Sequence, residues 1–311
     1  MPKKKVLRIE LYGGLGNQIL IYLAGLALSK ASNRALEIDF FWKDSIHSKE
    51  FDITSINLSG EILRRDLSPF TRKLIKTSSR VKDSLSYRSS MYRRFEYSIL
   101  GIYRESQSTP DSREQVLEKL ISSQKKRLIL KGYFFSSAYF LKLIESGSSV
   151  LSMNSPSVSY KTLKNEASDS NPVGIHVRKW EKPLDFGQLS EQYFLKALSR
   201  IRKSSKVQRS PIWLFVENKD DLLDFPKLSQ MASKILTPDK LRDPAETLFL
   251  MSMCRKLIIS NSTFSYCAAL LSEKRNEIYA PWPFRPNVDG VTEHEILLSH
   301  WKPIEAEWHH T

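Results

Sequence analysis

The sequence predicts an α/β protein built from two domains with parallel sheets, and three observations carry that prediction. First, an apolar run from Val6 to Leu11 is followed by a glycine-rich loop, a stretch with helical apolar spacing from Gln18 to Ala31, and a second apolar run from Ala35 to Phe40. That order spells a βαβ opening. Second, past residue 172, short apolar runs alternate with helix-length periodic segments, the signature of a parallel sheet covered by helices. Third, 311 residues with 41% hydrophobic content suffice to bury two cores.

Taken in order, the elements after the opening are a stretch with a helical pattern but few core positions, then a strand from Arg127 to Lys131 running into Gly132-Tyr133-Phe134. From Glu145 to Pro172 the chain is rich in Ser, Asn, Asp and Lys, which reads as a domain boundary with an edge of disorder or a short helix. The boundary is placed near residue 155, giving domains 1–155 and 156–311. Strands are then expected at Val173–Val177, Ile212–Val216, Lys256–Ile259 and Glu277–Ala280. Helices are expected at Glu191–Lys203, from Asp220, at Asp243–Cys254 and at Ser262–Leu271.

Composition narrows the setting. The chain contains no apolar run of about 18 residues and no signal-peptide core after Met1, so a cytoplasmic address is expected. Cys254 and Cys267 sit in segments that read as helix, without metal-type spacing, and are expected to be buried structural thiols. The net charge is +14, and it is uneven: from Glu61 to Glu105 eleven Lys and Arg face five acids, with aromatics interleaved. This basic helical insert is expected to meet an anionic membrane surface or simply water. It matches no nucleic-acid-binding module, so no nucleic-acid partner is expected.

The chemistry should lie off the carboxyl ends of the strands, where open parallel sheets bind ligands. Three strand ends of the second half are informative: His176 with Arg178-Lys179, Glu217-Asn218, and Ser260-Asn261-Ser262-Thr263 running into Phe264-Ser265. Adjacent cations can neutralise a diphosphate, and a Ser/Thr-rich turn into a helix offers backbone N–H groups and a positive helix end to the same phosphates. Taken alone, Ser260 to Ser265 equally fits an ordinary helix cap. No acidic cluster suited to a divalent metal stands out, because Asp220-Asp221 reads as first-turn helix acids; no metal and no cofactor is expected. The Gly13-Gly14-Leu15-Gly16-Asn17-Gln18 loop invites a dinucleotide reading with Asp39 as ribose acid, but Ile19 stands where a third glycine is needed.

Gly13-Gly14-Leu15-Gly16-Asn17-Gln18 with Ala24-Gly25, Gly132-Tyr133-Phe134 with Tyr139-Phe140, His176-Val177-Arg178-Lys179-Trp180-Glu181, and Ser260-Asn261-Ser262-Thr263-Phe264-Ser265 together resemble, in order, four motifs of glycosyltransferase family 11, the bacterial α-1,2-fucosyltransferases. The resemblance implies a GT-B type fold, two Rossmann-like domains facing across a cleft, and an inverting transfer of fucose from GDP-fucose to a galactose hydroxyl of a glycan; the basic Glu61–Glu105 stretch adds the expectation that this glycan is met lipid-linked at the inner membrane face. The resemblance also implies roles. Arg178 would contact the donor phosphates, with His176, Lys179, Glu217, Asn261, Ser262, Thr263, Phe264 and Ser265 around the donor. Gly13, Gly14, Gly16, Asn17 and Gln18 would face the cleft from the first domain. Asp185 and Glu181 are the candidate bases, and either fits equally as a salt-bridge partner of Arg178 or Lys179. The chain departs from the family where Lys179, Trp180 and Glu181 replace an arginine, a glycine and an aspartate, and where Tyr266-Cys267 replaces two tryptophans. Those departures leave open another GDP-sugar as donor, or a non-catalytic nucleotide-sugar- or polyanion-binding protein.

Overall fold

The structure, a computed structural model, describes residues 5–40, 52–63, 96–105, 112–145, 151–180, 187–204, 210–273, 276–286 and 292–309. The chain divides into two compact units, Met1–Phe51 with Leu58–Ser148, and Asp52–Asn57 with Ser149–Thr311. Both are α/β, and each holds one parallel sheet.

In the first unit, β1 (Val6–Glu10), β2 (Ala35–Asp39), β3 (Glu61–Leu63), β4 (Ile102–Arg104) and β5 (Arg127–Lys131) form a sheet in the order β3-β2-β1-β5-β4, with every pairing parallel. Helix α1 (Leu15–Ala31) makes the β1-to-β2 crossover and is buried nearly all round, which suits a run with little polar face. Helix and strand approach so closely that a Cβ added at Gly25 would stand 2.5 Å from Ile9 Cγ2. Strand alternation splits β1. Leu7 and Ile9 are fully buried, whereas Arg8 pairs with Glu37 at 2.7 Å and Asp39 at 3.7 Å, and Glu10 pairs with Lys131 at 2.9 Å. Helices α2 (Arg113–Ile121) and α3 (Leu141–Glu145) follow, α2 opened by a Ser112/Gln115 capping box. Most of the basic insert expected near 61–105 lies outside the described residues.

The second unit holds β6 (Val173–His176), β7 (Ile212–Phe215), β8 (Lys234–Leu236), β9 (Lys256–Ile258), β10 (Glu277–Trp282) and β11 (Lys302–Glu305), ordered β11-β10-β9-β6-β7-β8 and all parallel. Its helices are α4 (Val158–Ser170), α5 (Glu191–Ser204), α6 (Pro226–Met231), α7 (Pro244–Ser252), α8 (Thr263–Leu271) and α9 (Glu293–Ile296). Ile175, Val177, Tyr193, Phe194, Leu214 and Phe225 anchor one core between sheet and helices. Within the polar stretch read as boundary, residues 158–170 form a regular helix. Ser157 accepts the Tyr160 N–H at 3.1 Å, Asn171 closes the end at φ 47°, and only Tyr160 and Ala167 are buried. A stripe that narrow leaves the composition polar. Both cysteines are buried, and burial pushes the Cys254 thiol up to about 12 and that of Cys267 upward. Cys254 lies just past the end of α7 rather than inside a helix. Among the described residues, no helix is long and apolar enough to cross a membrane.

Candidate active site

The strand order brings the three informative strand ends together, because β6 lies between β9 and β7 at the centre of its sheet. The register pairs Ile175 with Ile258 and His176 with Phe215, so the residues leaving all three strands emerge side by side. His176 Nδ1 and Ser260 Oγ share a hydrogen bond of 2.8 Å. Ser265 Oγ lies 3.4 Å from the same hydroxyl. Burial first, and the Arg178 charge second, push the imidazole down to about 3, so His176 is neutral near neutrality. Its ring rests 5.7 Å from that of Phe264.

Arg178 forms an ion pair with Glu217, and its guanidinium lies over the Trp180 ring at 5.1 Å. Lys179 pairs with Asp224 at 2.7 Å; that hydrogen bond raises its pKa, with the nearby charges of Asp224 and Asp221 acting the same way. The Trp180 indole N–H donates to Asn261 Oδ1 at 3.4 Å, and Asn261 Nδ2 donates to the Gly187 carbonyl at 2.9 Å. Gln188 was not anticipated. Its Nε2 donates to the Arg178 carbonyl and its Oε1 accepts the Trp180 N–H, both at 3.0 Å, which fixes the backbone carrying the two cations. A glutamine ten residues past the arginine has no sequence signature that marks it.

At α8, Ser262 accepts the Phe264 N–H at 3.3 Å and so acts as the ordinary cap. Ser265 is fully buried and donates back to the Ser260 and Ser262 carbonyls at 3.3 Å. Thr263 and Phe264 are the partly exposed side chains of this turn. Asp220 and Asp221 occupy the first turn of a 3-10 helix over Lys219–Asp224, with Asp221 accepting the Asn218 N–H at 3.2 Å. Among the described residues, no group of three His, Cys, Asp or Glu side chains could hold a metal ion. Glu181 and Asp185 lie outside the described residues. Two cations and a helix N-terminus at one sheet edge can take up the charge of a departing phosphate.

In the first unit, α1 starts at Leu15, so Gly16 and Asn17 belong to its first turn and Gly14 is its N-cap. Gly13 has φ 77°, a conformation that favours glycine, and a Cβ there would have to displace the Asn17 amide, 2.7 Å away. Gln18, expected to face the cleft with its neighbours, has a fully buried side chain whose amide donates to the Gly13 carbonyl at 2.8 Å. It braces the loop from within. Asp39 is buried against Arg8 at 3.7 Å, a placement that commits it to the sheet rather than to a ribose.

No protein-family model matches the chain, and a search of curated proteins finds no significant relative. Solved structures do resemble it. A mutant of Arabidopsis thaliana FUT1 in complex with GDP superposes with a TM-score of 0.53 at 16% identity, over 91% of this chain and 71% of that one. The α-1,6-fucosyltransferase NodZ soaked with GDP-fucose superposes with a TM-score of 0.50 at 12% identity, over 87% of this chain and 93% of that one; NodZ is from Bradyrhizobium. At such identities the likeness establishes the fold, and it is the α/β glycosyltransferase fold of GT-B type.

Proposed function

We propose that the protein is an inverting glycosyltransferase that moves fucose from GDP-fucose to a galactose hydroxyl of a glycan, forming an α-1,2 linkage. The observation that carries the reading is the meeting of His176, Arg178 and the Ser260–Ser265 turn at adjacent strand ends on a glycosyltransferase fold. The motif likeness to family 11 supports donor and linkage.

In this reading, an acceptor oxygen attacks the anomeric carbon of GDP-β-L-fucose as the bond from that carbon to the phosphate oxygen breaks. The bonding pair leaves with GDP, and the acceptor proton passes to a carboxylate, Asp185 or Glu181. Arg178, Lys179 and the N–H groups opening α8 stabilise the charge that grows on the β-phosphate, each donor worth on the order of a few kcal/mol; no metal is required. Neutral His176 orients rather than accepts protons, because its own protonation is suppressed down to about 3. A second reading keeps the site and changes the sugar to that of another GDP-sugar. It is favoured by Trp180, whose indole is held over by Arg178 and tied to Asn261 where the family has a glycine. The net charge of +14 supports a lipid-linked acceptor met at an anionic membrane surface; staying in solution during flotation with anionic vesicles at low salt would remove that clause.

GDP release is measured from GDP-fucose with and without a galactose-terminated acceptor, in EDTA. Acceptor-stimulated release that survives the chelator is expected. Silence with GDP-fucose but turnover of GDP-mannose would overturn the donor.

A further inference from the structure

In the first sheet the chain runs outward from β1 to β2 and β3, then returns on the far side through β4 to β5, which lies beside β1. Open parallel sheets take ligands outside the carboxyl ends of their strands, and β1 and β5 end there side by side. Two aromatic side chains meet at that place. Tyr12 leaves β1 and Tyr133 leaves β5, their rings 4.8 Å apart and inclined by 64°. The Gly132 N–H lies against the Tyr12 phenol oxygen. Tyr133 is 46% exposed although it stands at the head of a buried strand pair.

The loop that presents Tyr133 is held under constraint. Gly132 has φ 148°, and a Cβ there would stand 2.4 Å from Glu105 Cβ; Phe134 has φ 52°. A non-glycine residue adopts a left-handed φ such as that of Phe134 at a cost and keeps it only where the surroundings enforce it. The enforcing group is the Glu105 carboxylate, just beyond β4. It accepts the Phe134 N–H, and the Tyr133 N–H and the Tyr139 hydroxyl bond to it as well. One carboxylate thus keeps a large, amphipathic ring at the carboxyl ends of β1 and β5. Such a ring offers an apolar face to the C–H side of a pyranose.

We propose that Tyr133, backed by Tyr12, is the face on which a pyranose ring of the acceptor saccharide stacks, and that Glu105 is the positioning residue that holds it there. The proposal rests on the glycosyl-transfer reading for the word acceptor, but the site it names is a saccharide subsite wholly within the first unit.

The test is saturation-transfer NMR with lactose as the probe on the full chain, alongside acceptor KM and kcat. Tyr133→Phe should bind lactose as the parent does. Tyr133→Ala should bind it roughly tenfold more weakly, the equivalent of one lost aromatic contact. Glu105→Gln should raise acceptor KM several-fold with kcat changed little, a split that general loss of fold would not give, since unfolding lowers kcat in step with the active fraction. Lactose binding that ignores Tyr133→Ala, or absent lactose binding in the parent, overturns the proposal. Tyr133-dependent lactose binding in a protein that turns over no GDP-sugar would retain the subsite and overturn the proposed function instead.

Discussion

His176 makes the strand ends of the candidate site an acid-sensitive part of the fold. In the unfolded chain its imidazole takes up a proton near the ordinary value of about 6.5, whereas in the folded protein burial and Arg178 hold it down to about 3. A depressed folded value on a base means the unfolded state binds the extra proton, so stability is complete above about 6.5 and is lost as pH falls toward 3. At about 1.4 kcal/mol per unit, moving from about pH 7 to about pH 4.5 should remove about 2–3 kcal/mol through this residue alone. The Glu277 carboxylate, held down to about 2, loses its contribution chiefly below this window. Glu105, pushed up to about 6 by burial, acts in the opposite sense, because the fold favours its protonated form. Both remain in a His176→Gln variant, whose amide can keep the bond to Ser260 Oγ. Urea unfolding of parent and variant at the two pH values isolates the difference. The variant should lose about 2–3 kcal/mol less on acidification, and equal losses would refute the argument.

Three further outcomes follow from packing and charge. Gly25→Ala gains about 1 kcal/mol of helix propensity but drives a Cβ to 2.5 Å from Ile9 Cγ2; overpacking costs about 1–3 kcal/mol, so denaturant melts should show net destabilisation. Gly174→Ala would place its Cβ 2.7 Å from Cys254 Sγ, and adding Cys254→Ala should recover about 1 kcal/mol of that loss in a double-mutant cycle; strict additivity would show that the sulfur is not the obstacle. Glu277→Gln removes the carboxylate that pairs with buried Lys256 at 2.9 Å and with Lys302; a loss of about 3 kcal/mol is expected by thermal or chemical unfolding, and one below about 1 kcal/mol would mean water reaches the lysine.

How much the sequence revealed depended on burial. The central strands β1, β2, β5, β6, β7, β9 and β10 are apolar runs and fell within a residue or two of their expected places, because residues flanked by strands on both sides write their environment into their composition. The edge strands β3, β4, β8 and β11 have a neighbouring strand on one side only and mix charged residues into their short spans, so no apolar run marks them. Helix α4 hid behind a stripe of two buried residues, Tyr160 and Ala167. At the candidate site, Arg178, His176 and the serine turn were legible because they stand at or just past the ends of apolar runs. Their supports were not: Gln188 reaches back to the Arg178 carbonyl, and Asn261 spends its amide on Gly187 and the Trp180 indole. Only the folded loop reveals those distances.

The two cations assigned to the donor phosphates already hold carboxylates, Arg178 with Glu217 and Lys179 with Asp224. Phosphate binding is therefore an exchange of partners in the proposed reaction. The Arg178 and Glu217 side chains are 28% and 44% exposed, and ion pairs in that range are worth only about 0.2–1 kcal/mol. Releasing the arginine by Glu217→Gln should tighten GDP binding by the same amount, roughly 1.5- to 5-fold, in calorimetry at moderate salt. That gain should shrink as salt rises, since salt already screens the competing carboxylate. A loss of GDP affinity in the variant would give Glu217 the opposite role, a carboxylate that accepts hydrogen bonds from the nucleotide, and the Arg178 pair would then be the device that aims it.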